Sequence, residues 1–280
     1  MEQQNNPLKA YFRKPGIWIK LPSTGKYYTQ TIDDLNEMGE IPIYPMTAKD
    51  ELLLKNADGL LNGSALFQLI ASCAPSLKDP SNMPALDLDA VLVAVRRCTY
   101  GEKMGITAKH DCEHAKETEY NINLNSLIAG IKTVGDIPPI EFDNGIKVFI
   151  KPITVKNILD LNWVQFEQIR SIQMADQQKA SNEEKVELMQ KGYEAISNAS
   201  IKIVSQSIDT VLLPDSTVVT DRAMILEWVI DMPKPDYAIL EKAIMTTNSQ
   251  GIDKHIKLAC TECNEIFTSK LDMNPTTFFA

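Results

Sequence analysis

Near the end of the chain stands Cys260-Thr261-Glu262-Cys263, a CxxC pair whose turn directs two sulfurs at one point. Zn²⁺ takes four ligands in a tetrahedron, so two thiolates make half a site and the other half must come from elsewhere. Far upstream, Cys112 lies between His110 and His114, two of the chain's three histidines. The likeness continues downstream of each cysteine. Cys112 is followed by Glu117 and an alternating Tyr120, Ile122, Leu124, and Cys260 by Glu265 and Phe267, so both segments read as a knuckle leading into a strand. The position that would complete a second cysteine pair is Ala115, which leaves His114 or His110 as the fourth ligand. The expected site is therefore a structural zinc on Cys260, Cys263, Cys112 and His114; the alternative is a knuckle pair closed by packing alone.

Other chemistry has less material. His110-Asp111-Cys112-Glu113-His114 matches the inverted zinc-protease pattern HxxEH, in which His110 and His114 would ligate and Glu113 would act as base. That geometry needs a helix, whereas Gly101 and Gly105 precede the motif and a period-two run follows it, which predicts a turn between strands. Ser23-Thr24-Gly25-Lys26 looks like the end of a phosphate loop, but the pattern requires Gly at position 20 and Ser or Thr at 27, where Lys20 and Tyr27 stand. Neither GxSxG nor GxGxxG occurs, and three histidines leave little from which to build a triad.

The totals bound what these residues can serve. A chain of 280 residues with 44% hydrophobic and 23% charged residues predicts two globular domains, without an apolar run that could span a bilayer. The first residues lack the charged and apolar regions of a secretory signal, so a soluble, cytoplasmic protein is expected. Five cysteines, an odd number, suit thiols plus a metal better than a disulfide framework, and Cys73 and Cys98 fall in apolar helical patterns as small core residues. A net charge of −9 without a Lys/Arg cluster argues against a nucleic-acid backbone as partner. A zinc-ribbon nucleic-acid adaptor remains the alternative that charge disfavours.

The elements that must hold the knuckles follow from periodicity and punctuation. Residues 17 to 28 alternate around Pro22–Gly25 and predict two short strands, and Ile41 to Tyr44 a third. Thr47, with Asp50 three residues on, caps a helix; Asn62-Gly63-Ser64 breaks it and starts another; a third runs from Asp87 to about Thr99 and stops at Gly101. A short helix near Ser126 to Lys132 precedes a hairpin turning at Asp143-Asn144-Gly145. Two long helices follow, one through Val155, Ile158, Leu161, Ile169 and Ile172, the other capped by Ser181 and Glu184 and carrying Val186, Met189, Tyr193, Ile196 and Ile203. A hairpin at Pro214-Asp215-Ser216, a helix capped by Thr220 and a last helix ending near Gly251 complete the pattern. The fold class is α+β. A small N-terminal sheet-and-helix domain, residues 1–135, carries the first knuckle; a helix-rich domain, residues 136–280, ends in the CxxC knuckle, and the two knuckles are expected to meet in a zinc-ribbon-like pair.

The order of elements resembles a known family. Leu21–Tyr28 (LPSTGKYY), Ile41–Glu51 (IPIYPMTAKDE), Asn62-Gly63, Arg96–Gly101 (RRCTYG), the Cys112 knuckle and the final CxxC with Phe278-Phe279 are similar to the baseplate hub assembly proteins of T-even-type contractile-tailed bacteriophages. The resemblance covers nearly the whole chain. It implies a non-enzymatic protein that builds, or forms part of, the central hub of a phage tail baseplate, with other hub and tail proteins as partners, in the host cytoplasm during assembly or in the virion baseplate. Members tend to carry a paired cysteine in the first knuckle, where this chain has Ala115. Phe278, Phe279 and Tyr28 are the expected exposed aromatic anchors, with packing of the terminal phenylalanines onto the last strand as the alternative.

Overall fold

The computed structural model describes residues 8, 11–112, 116–177 and 181–279. Ile17–Lys20 (β1) and Glu40–Ile43 (β2) pair antiparallel, Ile17 opposite Ile43 and Ile19 opposite Ile41. The expected hairpin of residues 17–28 does not form. Ser23 and Tyr28 are drawn instead to a buried carboxylate, Asp87, which accepts from the Ser23 N–H at 2.7 Å, the Ser23 hydroxyl at 2.5 Å and the Tyr28 hydroxyl at 2.8 Å. Thr24 and Tyr27 take positive φ, 55° and 68°, and turn the chain off the strand.

The Thr47 cap acts where the sequence places it, but the helix it starts stops at its C-cap Lys55, and a second cap, Asn56, begins another helix that was not expected. Thr47 and Asp50 close a capping box on Ala48–Leu54 (α1), and Asn56 caps Ala57–Leu61 (α2). Gly63, at φ 79°, starts Ser64–Cys73 (α3). Ala85–Tyr100 (α4) follows and stops at Gly101, at φ 97°. Every residue from Ala90 to Val95 is buried, and a helix apolar on all sides belongs in the centre of a core. Lys103–Ala108 (β3) leaves the end of α4 directly and pairs antiparallel with Thr118–Asn123 (β4). Asn123 caps Leu124–Ala129 (α5), two residues before the expected start.

Ile140–Glu141 (β5) and Lys147–Ile150 (β6) form the expected hairpin through Gly145, at φ 81°. Val155–Gln177 (α6) and Asn182–Ser207 (α7) then pack along each other; Ser181 and Glu184 make the expected capping box, and Gly192 lets α7 approach Gln168. Ile208–Leu212 (β7) and Val218–Val219 (β8) complete a four-stranded antiparallel sheet, β5-β6-β7-β8. Arg222–Ile230 (α8) is capped by Asp221 rather than by Thr220, because the carboxylate reaches both the Ala223 and Met224 amides. Lys234–Asn248 (α9), the hairpin of His255–Ala259 (β9) with Ile266–Lys270 (β10), and the single turn Pro275–Phe278 (α10) end the chain.

Two hydrophobic cores result. One gathers Phe142, Val148, Ile150, Val204, Ile208, Ile225, Val229 and Leu240 around the four-stranded sheet. The other surrounds α4 with β1, β2, α3, Ile122 and Leu124, and it also takes in Ile252, Leu258, Leu271, Phe278 and Phe279 from the end of the chain. The returning segment is fastened along α4. Lys254 Nζ pairs with Asp89 at 2.7 Å, the Lys132 N–H donates to the Gly251 carbonyl at 3.0 Å, and Arg96 donates to the Phe278 carbonyl while lying between the Tyr100 and Phe278 rings, 5.3 and 5.5 Å from their centroids. Phe278 is 0% exposed and Phe279 6%. Tyr28 is half-buried with its hydroxyl spent on Asp87. The expected aromatic anchors are therefore core residues, since the end of the chain finds its apolar partners within its own fold. Among the described residues no helix is long and apolar enough to cross a membrane.

Candidate metal centre

The two hairpins β3–β4 and β9–β10 meet at their loops. Each is a two-stranded antiparallel pair, and α4 positions both, by leading into β3 and by holding Lys254, the residue before β9, through Asp89. The loops bring His110 and Cys112 together with Cys260 and Cys263, and one ligand atom from each lies within 4.8 Å of all the others. Four such donors at this spacing are close enough to hold a metal ion.

The CxxC turn is built by its backbone. The Cys260 N–H donates to the Glu265 carbonyl at 2.9 Å and the Asn264 N–H to the Cys260 carbonyl at 2.9 Å, while Asn264 takes the left-handed conformation at φ 60°. Asn is among the few non-glycine residues that adopt it at low cost, so Cys-x-x-Cys-Asn is a readable signal for this turn. The amides of Cys263 and Glu262 point at the Cys260 sulfur, and their hydrogen bonds, aided by His110 and Cys263, outweigh desolvation and hold its thiol down to about 6. That stabilises the thiolate, the form that binds metal. At Cys263 the Glu265 amide likewise lowers the thiol, but desolvation and the neighbouring sulfurs of Cys260 and Cys112 leave it above its ordinary value. Cys260 is buried, His110 and Cys112 are half-buried and Cys263 is exposed, so the site lies at the rim of the molecule.

His110 is held on three sides. Its ring stacks on Phe267 with centroids 4.9 Å apart, Nδ1 lies 3.4 Å from Cys263 Sγ, and Nε2 faces Glu265 Oε2 at 3.9 Å. Tyr120 of β4 meets the edge of the same Phe267 ring at 5.9 Å, which ties the two hairpins together beneath the loops. Of the expected ligands, the structure brings together Cys112, Cys260 and Cys263, and adds His110. His114 lies outside the described residues, with Glu113 and Ala115. Residues 109–112 form a loop after β3, not the helix that HxxEH chemistry requires. Cys73 is buried and Cys98 half-buried, both away from the cluster, and burial pushes the Cys73 thiol up to about 12.

Over residues 15–280 the chain matches the family described as T4 bacteriophage base plate protein. The chain belongs to that family. The match runs through both hairpins and both cores, so the cysteine and histidine cluster and the fold that carries it are parts of one base plate protein. No curated protein and no solved structure matches the chain. The sequence points to the cysteines of the site and to Phe267 as the start of a strand, but not to the ring stack that Phe267 makes or to Asn264, which sets the turn.

Proposed function

We propose that this base plate protein is a hub component or hub assembly factor, acting by contact with other hub and tail proteins and without turnover, first in the host cytoplasm and then in the virion baseplate. The observation that carries the reading is the family match along residues 15–280. The surface that suits it is the α6–α7 pair. Trp163, Phe166, Ile169 and Met174 on α6 and Val186, Met189 and Tyr193 on α7 are all exposed, and the Trp163 and Phe166 rings lie 5.9 Å apart. These helices run about 35 and 39 Å at the usual rise, long enough to reach a neighbouring subunit. The net charge of −9 supports protein partners over nucleic acid.

In this reading the cysteine and histidine cluster holds a structural zinc, with Zn–S distances of about 2.3 Å. Its loss would cost on the order of 10 kcal/mol if the site behaves as small zinc modules do. Hub contact is tested with a Trp163→Ser/Phe166→Ser variant. The side chains are 42% and 38% exposed, so the melting temperature is measured alongside to separate lost packing from lost contact, while truncating true anchors should weaken binding by about 2 kcal/mol or more and reduce incorporation into baseplates. Full incorporation and infectivity would overturn the assignment of this surface. Mass spectrometry of purified hubs and particles tests the hub role itself, which fails if the chain is found in neither hub subassemblies nor their precursors.

A further inference from the structure

We propose that His110 is the fourth ligand through Nδ1 and that Glu265 is the positioning carboxylate behind it, facing Nε2. The inference rests on the metal reading and deepens it.

Three observations converge. First, Nδ1 lies 3.4 Å from Cys263 Sγ, on the side of the ring that faces the sulfurs. In a tetrahedral zinc site with Zn–S near 2.3 Å and Zn–N near 2.0–2.1 Å, the N···S edge is about 3.6 Å. The ring and the sulfur thus already stand at the separation that a shared ion imposes. Second, Nε2 is turned away from the sulfurs toward Glu265 Oε2 at 3.9 Å. An imidazole that ligates through one nitrogen carries its proton on the other, and Glu265, at ion-pair rather than hydrogen-bond distance, stands where a small side-chain rotation would let its carboxylate accept that N–H and fix the tautomer. Third, Phe267 stacks on the ring at 4.9 Å with 25° between the planes, which removes ring rotation as a freedom the ion would have to freeze.

Glu265 is well placed for the task because the same residue closes the CxxC turn. Its carbonyl accepts the Cys260 N–H at 2.9 Å, and its own amide points at the Cys263 sulfur. One residue therefore ties the turn that aims two thiolates to the ring that supplies the nitrogen. Three sulfurs and one imidazole close enough to share one ion form the soft donor set that suits Zn²⁺ among common divalent ions. The ion would also join residues 110–112 to 260–263, two loops far apart along the chain.

The test uses the full chain and competes a chromogenic chelator for Zn²⁺, with Co²⁺ as a spectroscopic stand-in. Expected are one zinc per chain, thiolate-to-cobalt charge transfer with the visible bands of tetrahedral Co²⁺, a fall in Zn²⁺ affinity of about 10-fold or more for Glu265→Ala, and partial recovery in Glu265→Asp. His110→Ala should lose more affinity than Glu265→Ala and shift the cobalt bands, whereas His114→Ala should change neither. The Glu265 side chain is 74% exposed, so the metal-stripped Glu265→Ala protein should melt where the stripped parent does. If His110→Ala fails to fold, His110→Asn and the Glu265 pair carry the test. Stoichiometric zinc with unchanged affinity in Glu265→Ala, or with loss in His114→Ala but not at His110, overturns this inference alone. Absence of stoichiometric zinc from the parent protein overturns the metal reading with it.

Discussion

Phe278→Ala tests whether the end of the chain is a fastener of this fold or an anchor for a partner. The ring is 0% exposed, and truncating a buried phenylalanine costs about 3–5 kcal/mol through lost transfer energy and the cavity left behind. The ring also forms one face of the sandwich around Arg96, at 5.5 Å, and loss of a partly desolvated cation–π contact adds about 1 kcal/mol. A total of about 4–6 kcal/mol corresponds to a melting temperature lower by roughly 10–15 °C for a chain of this size. The assay is thermal and denaturant unfolding of the parent, Phe278→Ala, Arg96→Met and the double variant. The two single changes should be non-additive by about 1 kcal/mol, because each removes the same contact. A loss under about 1 kcal/mol would refute the fastening argument, since few buried rings come out that cheaply. Lost baseplate incorporation at unchanged stability would return Phe278 to the partner surface.

Three further outcomes follow from single positions. Gly63→Ala should destabilise by about 1–3 kcal/mol, because φ is 79° and a new Cβ would stand 2.3 Å from Leu159 Cδ1; an unchanged denaturation midpoint would show that α3 tolerates rotation there. Burial raises the Asp87 carboxyl to about 6 against the opposing hydrogen bonds of Ser23 and Tyr28. Its folded value lies above the unfolded value of about 3.9, so its contribution to stability is full below about pH 4 and is lost as pH rises to about 6, some 2–3 kcal/mol in all. Asp87→Asn should flatten that slope in pH-dependent unfolding, and a slope unchanged by the substitution would rule Asp87 out as its source. Asn264→Gly should be neutral and Asn264→Val destabilising by about 1–2 kcal/mol, since only the latter suffers at φ 60°; equal stability of the two would remove strain at the turn from the account.

Local chemistry was legible in the sequence wherever a few neighbouring residues settle the outcome. The Thr47/Asp50 and Ser181/Glu184 boxes, the Gly63 and Gly101 breaks and the Asn144-Gly145 hairpin each satisfy their own backbone groups within one turn, and each stands where it was expected. The cysteine half-sites were readable for the same reason: spacing along the chain determines where two thiolates point. Tertiary structure alone decided what depends on partners remote in sequence. β1 pairs with β2 because Asp87, far along the chain, takes Ser23 and Tyr28 out of strand geometry. Phe278 and Phe279 look like a free apolar tail until Arg96 and α4 offer them a core. His110 and His114 flank Cys112 alike in the sequence, and it took the second hairpin to show that Cys263, Phe267 and Glu265 surround His110. Periodicity records which residues shun water; which surface covers them is settled by the whole chain at once, because burial energy depends on area removed from water and carries no direction of its own.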